Sequence, residues 1–489
     1  MTYDVLIAGG GNAALSAAIC AARGGASVLV VEAAPKAMRG GNTRHTRNCR
    51  LAHDEGNGIL TGPYPVDEYL DDLMRVTKGN TDPELAELTL QRSAEVWDFL
   101  EAQRVRFQPS LGGTLSLGRT NAFFLGGGRS MLNALYRTAE DLGVAVRYGT
   151  RVAGVEIDRG VFVSATLEAD WEAHDRADGG CTGGARGVHT DSGPLETVHA
   201  RAFVAAAGGF EANVEWLKEG WGEAAENFLI RGTPYNTGGV LRLLLDAGAD
   251  RIGEPDQCHA VAVDGRAPKF DGGIVTRLDC VPFGIVVNAQ AARFYDEGED
   301  FWPKRYAIWG RLVAAQPDQV GHVIIDAKSA DLFMPSVFPP TISDSLERLA
   351  SEIGLDPDAL RATVERFNAA CVPGDFDHTV HDDCRTEGLA PPKSHWARPI
   401  DTPPFRAYTL RPGITFTYMG VRVNRDARVL FDGHASPNVF AAGEIMAGNV
   451  LGQGYLAGIG MTIGTVFGRI AGETAARSLS NAPDRRMPA

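Results

Sequence analysis

The chain has 489 residues, of which 44% are hydrophobic and 22% are charged. This composition is that of a globular protein and excludes a disordered or fibrous chain, and the length predicts about two to four domains. Acidic residues outnumber basic ones by 61 to 47, which gives a formal net charge of −14. Electrostatic repulsion therefore disfavours a nucleic acid as partner.

The seven cysteines never form a Cys-x-x-Cys pair, which argues against a disulfide scaffold, a zinc ribbon or an iron–sulfur cluster in this chain. No signal peptide is recognisable before the first predicted strand, so we expect a cytoplasmic protein. The uncharged stretch 445–468 is long enough to span a membrane, but its seven glycines and polar side chains predict a buried, ligand-facing loop and helix. His378, His381 and Cys384 fit no standard zinc spacing, and we predict a polar loop and no metal site.

A strand–helix–strand unit is predicted at the start of the chain. Val5–Ala8 is a continuous apolar run, Ala13–Ala22 is a helix of small residues, and Val28–Val31 is a second apolar run that ends at Glu32. Uninterrupted apolar runs are typical of parallel strands that are covered on both faces. The pattern predicts an α/β fold with a Rossmann-type domain.

The turn of this unit has the pattern Gly9-x-Gly11-x-x-Ala14. Gly9 permits a tight turn, Gly11 lets a pyrophosphate approach the backbone, and Ala14 lets helix and strand pack closely. The helix N-terminus favours phosphate charge, and Glu32 can accept hydrogen bonds from a ribose diol. Because strand, turn, helix, second strand and acid are in register, the segment predicts a dinucleotide site.

Further glycine clusters favour FAD over NAD as the dinucleotide. They lie at 40–41, 126–128 and 208–209 and at Gly443, and a long flavin dinucleotide needs more close backbone approaches than a nicotinamide one. The predicted cofactor-binding residues are Gly9, Gly11, Asn12, Ala13, Ala14, Glu32, Gly40, Gly41, Asn42, Thr43, Gly127, Gly128, Ala207, Gly208, Gly443, Glu444 and Gly458.

The change of composition along the chain predicts a discontinuous FAD-binding domain with an inserted α+β capping domain. We expect the first part of the FAD-binding domain at 1–252, the capping domain at 253–411 and the C-terminal part at 412–489. Helices are expected at 83–100 and 131–142, and a polar surface excursion at 169–197.

Four arginines form a positive island between Arg39 and Arg50. They are Arg39, Arg44, Arg47 and Arg50, and no acid occurs from 33 to 53. A guanidinium recognises a carboxylate through paired hydrogen bonds, so we expect at least one of them to contact a substrate carboxylate. A solvated loop or contacts to the flavin pyrophosphate are the alternatives.

Several segments carry a resemblance to a known family. The set 9–14, 39–42, 206–210 and 443–444 resembles the flavoprotein family of succinate dehydrogenase and fumarate reductase, over nearly the whole chain. Longer strings at 44–48, 119–124, 227–233, 294–306 and 411–418 are similar to the tricarballylate dehydrogenases of that family. The excursion 169–197 looks like an insertion against them.

The resemblance implies a reaction, a cofactor and a partner. It implies oxidation of tricarballylate to cis-aconitate by hydride transfer to flavin N5, with the substrate between cap and flavin. It implies that electrons pass to a separate membrane-associated iron–sulfur and haem protein, which could hold this chain at the inner membrane face. His45 does not match the family motif for covalent attachment, so we predict non-covalent FAD.

The resemblance also implies roles for individual residues. Arg305 falls on the position of the proton-shuttling arginine, and His259 on a substrate-binding histidine. Tyr455 stands in place of the arginine that grips a carboxylate, and Arg277 and Cys280 stand in place of the family's proton-delivery pair. The remaining predicted substrate-binding residues are Arg44, Arg47, Arg119, Arg231, Arg411 and Thr417.

The residues themselves leave these roles open. A free guanidinium is a poor base, and Arg305 could instead pair with Glu299 or Asp300. Tyr418 and Tyr455 are rival acids or orienting groups, or they pack as aromatics. His259 could bind a carboxylate as an imidazolium, or it is a satisfied core histidine.

Three other functions compete with tricarballylate oxidation. One is the flavoprotein component of a precorrin-3B synthase type of corrin oxidation, which needs an iron–sulfur module. The second is ketosteroid dehydrogenation, which Tyr455 suggests and the arginine island disfavours. The third is an electron-transfer or assembly subunit that has no substrate of its own.

Overall fold

The computed structural model describes residues 3–110, 117–169 and 194–480. The predicted excursion 169–197 lies mostly outside the described residues. The helices are α1 (Asn12–Arg23), α2 (Val66–Thr77), α3 (Pro83–Ser93), α4 (Val96–Ala102), α5 (Leu117–Thr120), α6 (Gly127–Asp141), α7 (Val214–Trp221), α8 (Gly239–Asp246), α9 (Trp302–Arg305), α10 (Trp309–Ala314), α11 (Leu346–Glu352), α12 (Pro357–Ala370) and α13 (Ile459–Ser480).

The strands follow in the same order along the chain. They are β1 (Tyr3–Ala8), β2 (Val28–Glu32), β3 (Asn48–Arg50), β4 (Phe107–Gln108), β5 (Asn121–Phe124), β6 (Ala145–Tyr148), β7 (Arg151–Asp158), β8 (Val161–Glu168), β9 (Leu195–Ala205), β10 (Leu229–Ile230), β11 (Arg251–Ile252), β12 (Cys258–Asp264), β13 (Ile285–Val287), β14 (Gly321–Ile325), β15 (Thr341–Ser343), β16 (Cys371–Val372), β17 (Arg385–Thr386), β18 (Phe405–Thr417), β19 (Gly420–Val421), β20 (Arg428–Phe431) and β21 (His434–Ala441).

The first sheet has the predicted doubly wound core. Its order is β20-β21-β9-β1-β2-β6, with β8 beside β9 and β7 beside β8. Strands β21, β9, β1, β2 and β6 run parallel, and Val5–Ala8 pairs with Val28–Val31. Every residue of β2 is buried, as expected of a parallel strand with layers on both faces.

The C-terminal segment completes this domain, which confirms the prediction of a discontinuous FAD-binding domain. Strand β21 pairs with β9, and helix α13 packs along α1. The helices touch closely, since a Cβ at Gly468 would lie 2.4 Å from the Ala13 carbonyl oxygen and one at Gly472 would lie 2.2 Å from that of Ala17. Small residues at the contact therefore fix how the chain end joins its beginning.

A second, mostly antiparallel sheet forms the capping part. The 13-residue strand β18 pairs with β10, β12, β14 and β15, and β13 adds to β14. Helices α11 and α12 contribute to a separate apolar core beside it, which includes Leu349, Leu360 and Phe367. Strand β18 continues through residue 411, where the sequence predicts a domain boundary, so one rigid element links the cap to the cofactor end.

Two predicted helices differ from the observed elements. The helix expected at 83–100 is interrupted between Ser93 and Val96 and forms α3 and α4, and the helix expected at 131–142 begins earlier, at Gly127. The stretch 445–468 is a buried loop that leads into α13, as predicted. Among the described residues, no helix combines the length and the apolarity that crossing a membrane requires.

Candidate active site

A large cleft lies where the carboxyl ends of β1, β2 and β9 meet the end of β18. Its space not filled by atoms is about 1660 Å³, open solvent at the mouth included. One end is lined by the glycine turns of the first sheet. The other end is lined by cationic and aromatic side chains, to which the capping part contributes His259, Arg277 and Tyr306, so the two ends have different chemistry.

The glycine end has the geometry of a dinucleotide cradle. Gly9 has a φ of +104°, and a Cβ there would lie 2.3 Å from the backbone oxygen of Ala206. Helix α1 begins after Gly11 without an acidic residue in its first turn, and the Asn12 N–H donates to Thr43 Oγ1 at 3.1 Å. The positive end of the helix dipole at this N-terminus favours an anion. At the end of β2, the Glu32 carboxylate accepts hydrogen bonds from the N–H groups of Ala34 (2.9 Å) and Gly40 (3.1 Å).

Most predicted cofactor-binding residues line this cleft, and the cradle fits an elongated dinucleotide such as FAD. Those that line it are Gly9, Gly11, Asn12, Ala13, Glu32, Gly40, Gly41, Asn42, Thr43, Ala207, Gly208, Gly443, Glu444 and Gly458. Ala14, Gly127 and Gly128 do not line it. A Cβ at Gly128 would lie 2.0 Å from the Thr43 carbonyl oxygen, so this glycine lets α6 support the turn Gly41–His45 from behind.

Two buried carboxyl groups, Glu211 and Glu444, face each other beside the cofactor end. Glu211 Oε1 accepts from Asn236 Nδ2 at 2.7 Å, and Glu444 Oε1 accepts from the Thr417 N–H at 2.8 Å. Burial raises the pKa of both groups, and the neighbouring Glu211 raises the pKa of Glu444 further. Glu211 Oε2 has no other hydrogen-bond partner among the described residues, so a proton shared by the pair satisfies it.

Glu444→Gln is expected to stabilise the protein more at pH 8 than at pH 4.5. The folded protein holds a proton on the pair that the unfolded chain releases above about pH 4.5, so stability falls as pH rises from there through the raised pKa. Glutamine removes this loss of stability, and for a chain of 489 residues each kcal/mol corresponds to about 1 °C in Tm. Thermal unfolding across pH measures it, with the exposed Glu101→Gln as control; equal Tm differences at both pH values would contradict it.

Three buried arginines, Arg47, Arg231 and Arg277, line the other end of the cleft. Within the described ranges, no hydrogen-bond partner is present for Arg47 Nε and Nη2 or for Arg231 Nη1. Arg231 Nε donates to Thr415 Oγ1 at 2.8 Å. A buried donor without a partner destabilises the folded protein, so these N–H groups are suited to bind a ligand that carries hydrogen-bond acceptors.

Burial changes the pKa of these cationic groups. Burial, together with the charge of Arg277, lowers the pKa of Arg47 to about 10, and burial lowers that of Arg231 to about 10. Burial and the charges of Arg231 and Arg277 lower the pKa of His259 well below its ordinary 6.5. His259 is therefore a neutral imidazole at pH 7, and its Nε2 also lacks a hydrogen-bond partner in the described part of the chain.

Aromatic rings complete the wall around His259. The Tyr455 ring stacks on the imidazole at 3.9 Å, and the Tyr306 ring meets it edge-on at 5.2 Å. The Tyr455 hydroxyl accepts a hydrogen bond from the Gly460 N–H at 3.1 Å. This end of the cleft thus combines cations with two phenols.

Arg277 differs from the other two arginines because it has a buried partner. Its Nε and Nη2 donate to the two carboxylate oxygens of Asp279 at 2.6 and 2.8 Å, and Trp302 Nε1 donates to Asp279 at 2.7 Å. Sequence reasoning missed Asp279 and Tyr306. The spacing Arg277-x-Asp279 and the position of Tyr306 next to Arg305 were the signals that could have found them.

Several predicted site residues do not line the cleft. Arg305 donates to Glu299 Oε2 at 2.9 Å and to the Tyr295 hydroxyl at 2.8 Å, which is the pairing its sequence neighbours suggested. Tyr418 donates to the Gly454 carbonyl oxygen at 2.6 Å, and the buried Thr417 contacts Glu444. Arg119 pairs with Glu68, and Arg411 donates to backbone carbonyl oxygens of the 318–319 turn.

The four arginines of the positive island lie in three different places in the structure. Only Arg47 reaches the cleft, where His45 also lies, with its Nε2 2.6 Å from Asp271 Oδ1. Arg50 is buried and donates to the Tyr64 hydroxyl. Arg39 and Arg44 line a small surface depression together with Lys36 and Arg129, so sequence proximity did not keep the four arginines together.

Comparisons with known proteins agree with this geometry. A family model described as FAD binding domain matches residues 4–461. The chain is 26% identical to digoxin reductase of Eggerthella lenta, over 97% of the chain and 87% of that protein. It is 25% identical to NADH:fumarate oxidoreductase of Klebsiella pneumoniae, over 97% of the chain but 48% of that protein, so the chain spans about half of its length.

The overall fold matches a solved flavoprotein. The structure of the open conformation of a flavocytochrome c3 fumarate reductase superposes with a TM-score of 0.70 and 22% identity, over 98% of the chain and 78% of that protein. This match supports the fold, an FAD-binding domain with a capping domain. The match to the FAD binding domain model supports FAD as the cofactor.

Proposed function

Because the chain belongs to the FAD binding domain family, as an FAD-dependent oxidoreductase of the fumarate reductase and succinate dehydrogenase flavoprotein type, we propose that it oxidises tricarballylate to cis-aconitate. The coarser reaction, exchange of hydrogen across a carbon–carbon bond, is that of its family. The tricarboxylate substrate is our proposal, and it rests on the cationic end of the cleft.

One observation carries the choice of substrate class. The guanidinium groups of Arg47 and Arg231 are buried, carry unused donors and have no ion-pair partner within the described ranges. The protein has a net charge of −14, so these two cations are not part of a generally basic surface. A ligand with several carboxylates would supply the missing acceptors and offset the charge repulsion among the three arginines.

The residues of the cleft divide the work of such a reaction. FAD, when bound, accepts the two electrons and the hydrogen that leaves as a hydride. Arg47 and Arg231 would each hold a carboxylate, and the neutral His259 would donate one further hydrogen bond from its ring. With its carboxylates held in this way, the substrate would present the carbon–carbon bond to be oxidised in a fixed orientation.

We also propose that the electrons leave through a separate protein. The Klebsiella relative is about twice as long as the region that this chain matches, and no Cys-x-x-Cys pair exists in the sequence to hold an iron–sulfur cluster. A separate iron–sulfur or haem protein, membrane-associated as the sequence resemblance implies, would accept them. We propose non-covalent FAD, since His45 is occupied by its pair with Asp271.

A second candidate is oxidation next to a ring ketone. The stacked Tyr455 and His259 and the nearby Tyr306 form a wall that could receive a flat ring and donate to its carbonyl oxygen. The unsatisfied donors of Arg47 and Arg231 favour the tricarboxylate, because a steroid would leave them unpaired.

Anaerobic addition of tricarballylate is expected to bleach the visible absorbance of the bound flavin. Succinate should bleach it less, since two carboxylates satisfy fewer of the buried donors, and a ketosteroid should not. The trimethyl ester of tricarballylate keeps the carbon skeleton without the charges and is the matched control. Bleaching by the ester as fast as by the acid, or by the steroid alone, would end the proposal.

A further inference from the structure

We propose that Tyr306 is the acid–base residue of the reaction, with Arg277 and Asp279 as its positioning residues. The inference rests on the proposed function only in that the cleft oxidises a carbon–carbon bond. It does not depend on whether the substrate is tricarballylate. No sequence pattern assigned a role to Tyr306.

The position of Tyr306 carries this assignment. Its side chain lines the cleft and is only 3% exposed. The Arg277 guanidinium lies over the Tyr306 ring, with its carbon 4.7 Å from the ring centre, and its charge lowers the pKa of the phenol. Arg277 is fixed in turn by the two-point pair with Asp279, so the phenol is held by a cation that cannot swing away.

The electrostatic surroundings of Tyr306 favour its negative form over that of any other phenol at the site. Arg277, Arg231, Arg47 and Arg50 all act to lower its pKa, although burial outweighs them and raises it above 10. His259, which faces its ring, is neutral and adds no charge. Asp279 opposes the phenolate but is already paired with Arg277.

The other candidates are less suited to exchange a proton with a substrate. The Tyr455 hydroxyl already accepts from Gly460, and Arg231 is the one arginine among the main influences on its pKa. Tyr418 donates to Gly454 and does not line the cleft. Arg305 is paired with Glu299 outside the cleft, one residue before the tyrosine that points into it.

The step balances in protons and electrons. One hydrogen leaves its carbon as a hydride, which carries two electrons to FAD. The hydrogen on the neighbouring carbon leaves as a proton, the Tyr306 oxygen forms an O–H bond with it, and the electron pair of the broken C–H bond forms the second carbon–carbon bond. The phenol then returns its proton to solvent, and in the reverse direction it donates the proton to the carbon.

The ionisation state that Tyr306 needs in each direction predicts how the reaction rate changes with pH. Oxidation needs the phenolate, so its rate should rise with pH below the pKa of Tyr306. It should fall again above about pH 10, where Arg47 and Arg231 lose charge and bind carboxylates less tightly. Reduction of the product needs the neutral phenol and should lose rate over the range in which oxidation gains it.

The test compares Tyr306→Phe with Tyr295→Phe, a matched loss of a hydroxyl that bonds to Glu299 outside the cleft. General acid–base catalysis contributes about 10²–10⁴-fold, so Tyr306→Phe should lose this much kcat while FAD content and substrate binding persist. The rising limb of the pH profile should also disappear. Tyr295→Phe should keep both the rate and the limb.

Asp279→Asn tests the positioning role. Without the negative charge of Asp279, the positive charge of Arg277 stabilises the Tyr306 phenolate more strongly, so the rising limb of the pH–rate profile should move to lower pH. If that limb does not move, Asp279 has no positioning role. The assignment of Tyr306 as the acid–base residue would be overturned if Tyr306→Phe kept more than about a tenth of the wild-type kcat and the rising limb of the pH–rate profile. If wild type does not oxidise tricarballylate, the proposed function fails, and the same comparison is made with the ketosteroid or succinate that it does oxidise.

Discussion

Replacing Arg231 by leucine is expected to lower kcat/KM for tricarballylate about 10²- to 10⁴-fold, because two charged hydrogen bonds of about 1.5–3 kcal/mol each are lost at about 1.4 kcal/mol per tenfold. The Arg231 guanidinium is buried at the cleft and bonded through Nε to Thr415, and no residue that the structure describes bonds to its Nη1, which can therefore meet a carboxylate. A contact made in both the bound substrate and the transition state should raise KM more than it lowers kcat. Steady-state kinetics with an artificial electron acceptor measure both.

The control for Arg231→Leu is an arginine of equal size far from the cleft. Arg348 is exposed on α11, where it pairs with Glu352, and Arg348→Leu should leave both kinetic constants unchanged. The uncharged trimethyl ester gives a second check, since its binding should be insensitive to Arg231→Leu. If kcat/KM for tricarballylate fell less than about fivefold, below 1 kcal/mol, this arginine would not hold a carboxylate.

Gly9→Ala is expected to give a protein that has lost most of its FAD. The new Cβ would lie 2.3 Å from the Ala206 oxygen and 2.8 Å from its carbonyl carbon, and both are backbone atoms of the strand end that cradles the cofactor. Either β1 or the 206–208 turn must move, and a shift that costs about 1.4 kcal/mol lowers FAD affinity tenfold. The ratio of flavin to protein absorbance after dialysis measures the occupancy.

Gly25→Ala is the matched control for that substitution. Gly25 also has a positive φ, of +86°, but no atom of the described residues lies within 4 Å of its added Cβ. The backbone strain is therefore similar and the clash is absent, so FAD occupancy should remain at the wild-type level. Equal FAD loss in both variants would mean that strain, and not the cradle contact, limits cofactor binding.

The cofactor end could be predicted from the sequence because its signals are local. The strand, the helix and Glu32 lie within 32 residues, and their spacing alone places Gly9 and Gly11 at the helix N-terminus. Pairing of Val5–Ala8 with Val28–Val31 follows from the short connection between parallel neighbours. Neither step depends on contacts between distant parts of the chain.

The catalytic end could not be predicted in the same way. Arg47 precedes Arg231 by 184 residues, and Arg231 precedes Arg277 by 46 residues. The three arginines therefore meet only through the tertiary fold. Arg305 and Tyr306 are adjacent, yet successive residues of a helical turn point about 100° apart, so only one of them faces the cleft. A sequence string identifies such a segment but does not tell which of two neighbours enters the site.

The end of β18 has a consequence for any change of substrate range. Thr415 holds Arg231 through its hydroxyl and accepts from Asn42 Nδ2 through its carbonyl oxygen at 2.6 Å, and Asn42 belongs to the turn that lines the cofactor cleft. Two residues further on, Thr417 binds Glu444. Engineering or natural drift that reshapes this strand end for a new acid would therefore alter flavin affinity in the same step, and the two properties would have to be selected together.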